Sequence, residues 1–182
     1  MTSNAGGGGR ILGTLGQADG RGVVRIEDRF DAGIDDVWSA ITDPTRVARW
    51  YGVVEGDLRP GGDFRLNVES SGWEGNGHVE TCEPPRHLRV TTRESDESYL
   101  AGGGVPPFEQ SVDATLTQDG GQTVVVIEVR GMPLDKVPFY GVGWQIHAES
   151  LACHLAGRER GDDETRWGQL IAPYQDLASR IG

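Results

Sequence analysis

Pro138–Gly157, PFYGVGWQIHAESLACHLAG, is the longest stretch of helical period in the sequence, and its reading decides the fold. Tyr140, Trp144, Ala148, Leu151 and Leu155 recur at steps of three and four residues, so a helix carries them on one stripe, with Gln145, Glu149 and Cys153 away from it. Gly157 supplies the stop. Such a helix, about 18 residues, is ~27 Å long at ~1.5 Å per residue. The chain before it is mainly short alternating segments, so the partner of the stripe is a curved antiparallel sheet. A helix laid across a bent sheet leaves a hollow, and that hollow is the expected functional part.

Immediately upstream, SVDATLTQ and TVVVIEVR flank Asp119-Gly120-Gly121, the plainest hairpin in the chain. The connection before it, ESDESYLAGGGVPPF, is the longest without internal periodicity, and loops of that length are either functional or disordered. RHLRVTTR is a strand, and WEGNGHVETC another, with Gly75, Gly77 and Val79 as its inward set. Glycines on one strand face indicate a bend or a group packed close against the backbone. VVEGDL and FRLNVES form a hairpin about RPGGD, with Phe64, Leu66 and Val68 on one side.

Further upstream, RILGTL and VVRIEDRF form a hairpin about a glycine-rich turn. Two short helices follow: Asp35 as cap with Val37, Trp38 and Ile41 apolar, then Asp43 as cap, Pro44 as first helical residue, and Val47 and Trp50 one turn apart. Met1–Gly9 is a glycine-rich, flexible tail with no basic start and no apolar run, so no signal peptide is expected. Past Gly157, TRWGQLIAPYQDLASRI places Trp167, Leu170, Tyr174 and Leu177 at helical spacing, with Pro173 expected to kink or split it. This extension either packs on the domain or serves a homodimer contact.

A chain of 182 residues suits one domain, here 10–160, with an extension at 161–182. A net charge of −11 argues against a grip on nucleic acid or anionic lipid, and no run is long and apolar enough for membrane insertion. Cys82 and Cys153 stand in separate elements without metal-ligand spacing, and a cytoplasmic protein with reduced thiols is expected. His147 and His154 lie two turns apart, about 10 Å along a helix, too far to share a metal. Neither a metal nor a cofactor is expected.

FDAGIDDVWSAITDPTRVARWY, GDLRPGGDFRL, WEGNGHVETCEPPRHLRV and GWQIHAESLACHL, in this order, resemble the SRPBCC superfamily, also called START-like or birch-pollen-allergen-like. Within it the chain is most similar to the group named for the activator of heat-shock protein 90 ATPase, over about Val23–Gly157. The resemblance implies an α+β helix-grip fold, an antiparallel sheet wrapped round a long C-terminal helix with a cavity between them. That superfamily hosts lipid and hormone carriers, polyketide cyclases and co-chaperone domains, so fold leaves function open. Gly33 stands where many members have proline, and 10–22 and 161–182 lie outside the common pattern.

The expected partner is a small apolar molecule, with Trp50, Tyr51, Phe64, Trp73, Tyr140, Trp144, His147 and Leu151 as its candidate contacts. Each aromatic serves equally well as core. His147, beside the stripe, can hydrogen-bond a ligand or act as a base, or simply bond to backbone or water. A polyketide cyclase or dehydratase using His147, or His78 with Glu80, is the enzymatic alternative, against which His78, Glu74 and Glu80 also fit a solvated strand face. A chaperone-linked interaction module, with its cavity filled by Trp and Leu, is the third reading.

Overall fold

The computed structural model describes residues 10–96 and 106–182; the N-terminal tail and the middle of the long connection before Phe108 lie outside these. Turn chemistry and alternation set the local order. β1 (Gly13–Ala18) and β2 (Arg21–Phe30) meet about Asp19-Gly20, both at positive φ (51° and 75°), the conformation a two-residue hairpin requires. The first strand thus starts later, and the turn is tighter, than the run RILGTL and the glycines around it indicate. β7 (Glu109–Asp119) and β8 (Gln122–Met132) are also joined by two residues, Gly120-Gly121, of which Gly120 is at positive φ (60°).

Between them come α1 (Ile34–Thr42), α2 (Pro44–Val47), β3 (Val53–Gly56), β4 (Asp63–Val68), β5 (Trp73–Glu83) and β6 (His87–Glu94). Asp43 caps α2, accepting from the Thr45 N–H at 2.9 Å, with Pro44 following it. Asp35 is not a cap: Gly33 holds that position in extended backbone, and Asp35 and Asp36 lie in the first turn, where their charge suits the dipole. The indole of Trp50 donates to Ala40 O at 2.9 Å, pinning the corner after α2 to the end of α1.

All eight strands form one antiparallel sheet in the order β1-β2-β8-β7-β6-β5-β4-β3. Register shifts at Gly22/Val23 and Val79/Thr81 bend it. Its concave face carries Val24, Ile26, Leu116, Val125 and Val129, all buried against α3 (Val137–Leu155) and the two short helices. This is the α+β helix-grip arrangement.

Gln145, on the side of α3 away from the stripe, is nonetheless fully buried, because α3 is covered on both sides. A second helix, α4 (Asp163–Ala178), lays Leu170 and Tyr174 on Val142 and Ile146. Gln145 accepts from Leu12 N–H (3.0 Å) and Tyr174 OH (2.7 Å), and donates to Arg10 O (2.8 Å) and Glu149 (2.9 Å). Glu149 in turn pairs with Arg166 through two bonds of 2.6 and 2.8 Å. A Cβ at Gly13 would meet the Tyr174 hydroxyl at 2.4 Å and one at Gly141 the Tyr174 ring at 2.5 Å, so both glycines make room for this side chain. Pro173 does not split α4, since Leu170 and Tyr174 are anchored on either side of it and outweigh the lost hydrogen bond.

Candidate functional site

Two cavities lie in the hollow beside α3. The first, about 160 Å³, has Ile41, Pro44 and Val47 from the short helices on one wall. Phe64 and Leu66 of β4 form another, Val90, Ala114 and Ile127 the sheet floor, and Trp50 and Trp144 the cap. The second, about 320 Å³, is bounded by Phe139, Tyr140 and His147 of α3, Trp73 of β5, Glu94 of β6 and Gln110 of β7. Tyr51, Thr92 and Trp144 line both, so the two cavities meet at these side chains.

The strands explain why the first cavity is apolar. Leu88, Val90 and Thr92 share one face of β6, as do Gln110, Val112, Ala114 and Leu116 on β7, and these faces turn inward. Gly77, opposite Phe64 in the β4/β5 register, supplies the close approach that its strand position indicated. A Cβ there would meet the Phe64 ring at 2.2 Å, so the missing side chain is what lets this ring lie flat on β5.

Polar groups gather at the junction and in the second cavity. Tyr51 stacks near Trp50 and Trp144, with centroids 5.4 and 5.9 Å away, and burial raises its phenol pKa well above the usual value. Burial, reinforced by the Glu94 charge, pushes that of Tyr140 up to about 12. Both are neutral phenols at physiological pH. Desolvation, and after it the Arg160 guanidinium, lowers the His147 pKa to about 4 against a smaller opposing pull from Asp163, so the imidazole is neutral. Its Nδ1 is sealed from solvent and has no hydrogen-bond partner. The same holds for Gln110 Oε1, while the other end of that carboxamide donates to Thr92 Oγ1 at 3.2 Å.

Of the candidate contacts read from the sequence, Trp50 and Phe64 line the first cavity, Trp73, Tyr140 and His147 the second, and Tyr51 and Trp144 both. Leu151 lines neither; it is fully buried one to two turns further along α3, where helix and sheet close on each other. His78 and Glu80 face away from the hollow: His78 bonds Asp63 at 2.7 Å on the outer surface and Glu80 accepts from Thr91. No enclosed substrate can reach them. His154 meets Arg46 at 3.2 Å, outside both cavities. Among the described residues no group of three or more His, Cys, Asp or Glu is placed to hold a metal ion. Gln110 and Thr92 were missed, although a polar residue at an inward position of an alternating strand was the available signal.

A bent antiparallel sheet gripping one long helix over an apolar hollow defines a START-like, or SRPBCC, domain. The chain belongs to the family described as Activator of Hsp90 ATPase homolog 1-like protein, which matches residues 31–156. Among solved structures it is similar to CalU16 from Micromonospora echinospora, at 27% identity over 92% of this chain and 97% of that one, with a TM-score of 0.71. It is also similar to DynU16, a protein in the dynemicin biosynthetic locus, at 27% identity and a TM-score of 0.64, covering 78% of this chain and 50% of that one. Protein MLL2253 from Mesorhizobium loti shares the fold, at 22% identity over 75% of this chain and 98% of that one, with a TM-score of 0.64. No curated protein sequence matches the chain. α4 and β1 lie outside the matched family region. Among the described residues no helix is long and apolar enough to cross a membrane.

Proposed function

We propose that this protein binds a small, largely apolar molecule in the two joined cavities between sheet and α3. The observation that carries this reading is that the two cavities adjoin at Tyr51, Thr92 and Trp144, which line both, with an almost wholly apolar first cavity behind them. An apolar void of about 150 Å³ stays dry and takes a benzene-sized guest. The first cavity therefore accepts one ring of a ligand, and the second accommodates the remainder. Removing that ring from water contributes about 25 cal/mol per Å² of buried surface. The cavities also weigh against an interaction module with a filled interior, while a protein in a biosynthetic locus among the similar structures favours a small-molecule role. A cyclase-like activity would fall to His147, the one imidazole bordering the hollow.

Native mass spectrometry of the protein purified from its own host tests this. A co-purifying mass is expected, and Ala114→Phe, which fills the first cavity, is expected to abolish it. Repeated preparations without any bound mass, together with no saturable binding of aromatic probes, would remove the reading. Recovery of chemically altered ligand after incubation would convert the carrier into an enzyme.

A further inference from the structure

Both cavities lack a cation. Not one Lys or Arg lines either of them, the carboxylate of Glu94 is the single charged group on the described lining, and residues 97–105 contain no basic residue at all. Glu94 also projects its field onto Tyr140 in the same cavity. An anionic guest would thus lose its hydration with no countercharge to replace it and with a like charge nearby.

The polar groups present ask for something else. The Gln110 carboxamide is tied at one end to Thr92, and its other end is buried and unpartnered. His147 Nδ1 is likewise sealed and unpartnered on the opposing wall. A group that both donates and accepts satisfies either atom whatever the imidazole tautomer; a carboxylate only accepts and leaves Gln110 Oε1 orphaned. The Arg160 guanidinium, whose field reaches His147, is engaged with Asp163 at 2.5 Å and is not part of the cavity lining.

We infer that the ligand is a neutral ring compound bearing a hydroxyl or comparable donor–acceptor group, held by Gln110 and His147, and that carboxylate-bearing apolar molecules such as fatty or aromatic acids are rejected. This rests on the proposed binding role and adds the chemical class of the guest. Orphaned polar atoms in a site built to bond a hydroxyl discriminate strongly against analogues that lack one.

The test is a titration of the full chain at pH 7.5 with naphthalene, 2-naphthol and 2-naphthoate, followed by ligand-observed NMR. 2-Naphthol is expected to bind about 10-fold more tightly than naphthalene, and 2-naphthoate at least about 10-fold more weakly than 2-naphthol. In the variant Gln110→Leu/His147→Phe the naphthol preference should vanish while naphthalene still binds, which also shows that the variant folds. Naphthoate binding as tightly as naphthol, or a naphthol preference that survives in that variant, overturns the inference but leaves the apolar site standing. Failure of all three probes to bind removes the binding role itself, and this inference with it.

Discussion

The ring of Tyr51 meets the His147 imidazole nearly edge-on, with centroids 4.7 Å apart and planes at 86°. Trp144 approaches the same imidazole at 5.6 Å and 76°. Packing rather than a hydrogen bond to Nδ1 therefore sets the plane of His147, and Nδ1 is left without a partner in the protein. Tyr51 comes from the corner after α2 and His147 from α3, so docking of the short helices on the long one creates the contact.

His147 makes stability depend on pH. Its folded pKa is near 4 against an ordinary 6.5, so between these values the unfolded chain takes up a proton that the folded chain refuses. Stability should fall as pH drops from about 6.5 to about 4, by as much as ~3 kcal/mol from this residue, and level off below that. Denaturant titrations at pH 7.5 and 4.5, compared between wild type and His147→Phe, check the sign. An equally steep loss in the variant would assign the effect to other groups.

Gly77→Ala should destabilise by about 1–3 kcal/mol, because the new methyl forces the Phe64 ring off β5 and into the first cavity. Gly121→Ala, where a Cβ meets nothing within 4 Å, should change stability by less than about 0.5 kcal/mol. Midpoints of guanidinium unfolding for the two variants give the comparison. A Gly77 variant of wild-type stability would show that β4 and β5 shift to absorb the methyl.

Loss of the Tyr174 hydroxyl should be felt across three elements. Tyr174→Phe removes one donor to Gln145 Oε1, which keeps its bond from Leu12, and should cost about 1 kcal/mol. Gln145→Leu leaves Leu12 N–H and Arg10 C=O without their partner and should cost about 2–4 kcal/mol, with faster hydrogen exchange at the Leu12 amide. Equal costs for the two substitutions would contradict this hierarchy.

Cys82 borders the first cavity, and burial raises its thiol pKa, so disulfide reagents at pH 7.5 should modify it slowly. Saturating naphthalene should slow it further without changing the rate at Cys153, which does not line that cavity. Mass spectrometry of the labelled peptides separates the two sites. Protection of both, or of neither, would place the probe elsewhere.

Local chemistry was readable from the chain alone. Alternation in β4, β5, β7 and β8, the glycine pair in the last hairpin, and Pro44 behind Asp43 act through near neighbours, so they announce their elements without the rest of the fold. The 19-residue helix announced itself by period, and with it the sheet it needs. Tertiary packing decided which of its sides meet what. Gln145 is buried because α4 arrives from beyond the family region to cover α3, and Leu151 is core because helix and sheet close together there. The hollow itself is a difference between the bend of the sheet and the bulk of the side chains filling it. No single segment encodes that difference, so its volume, and the presence of Gln110 and His147 on one cavity, exist only in three dimensions.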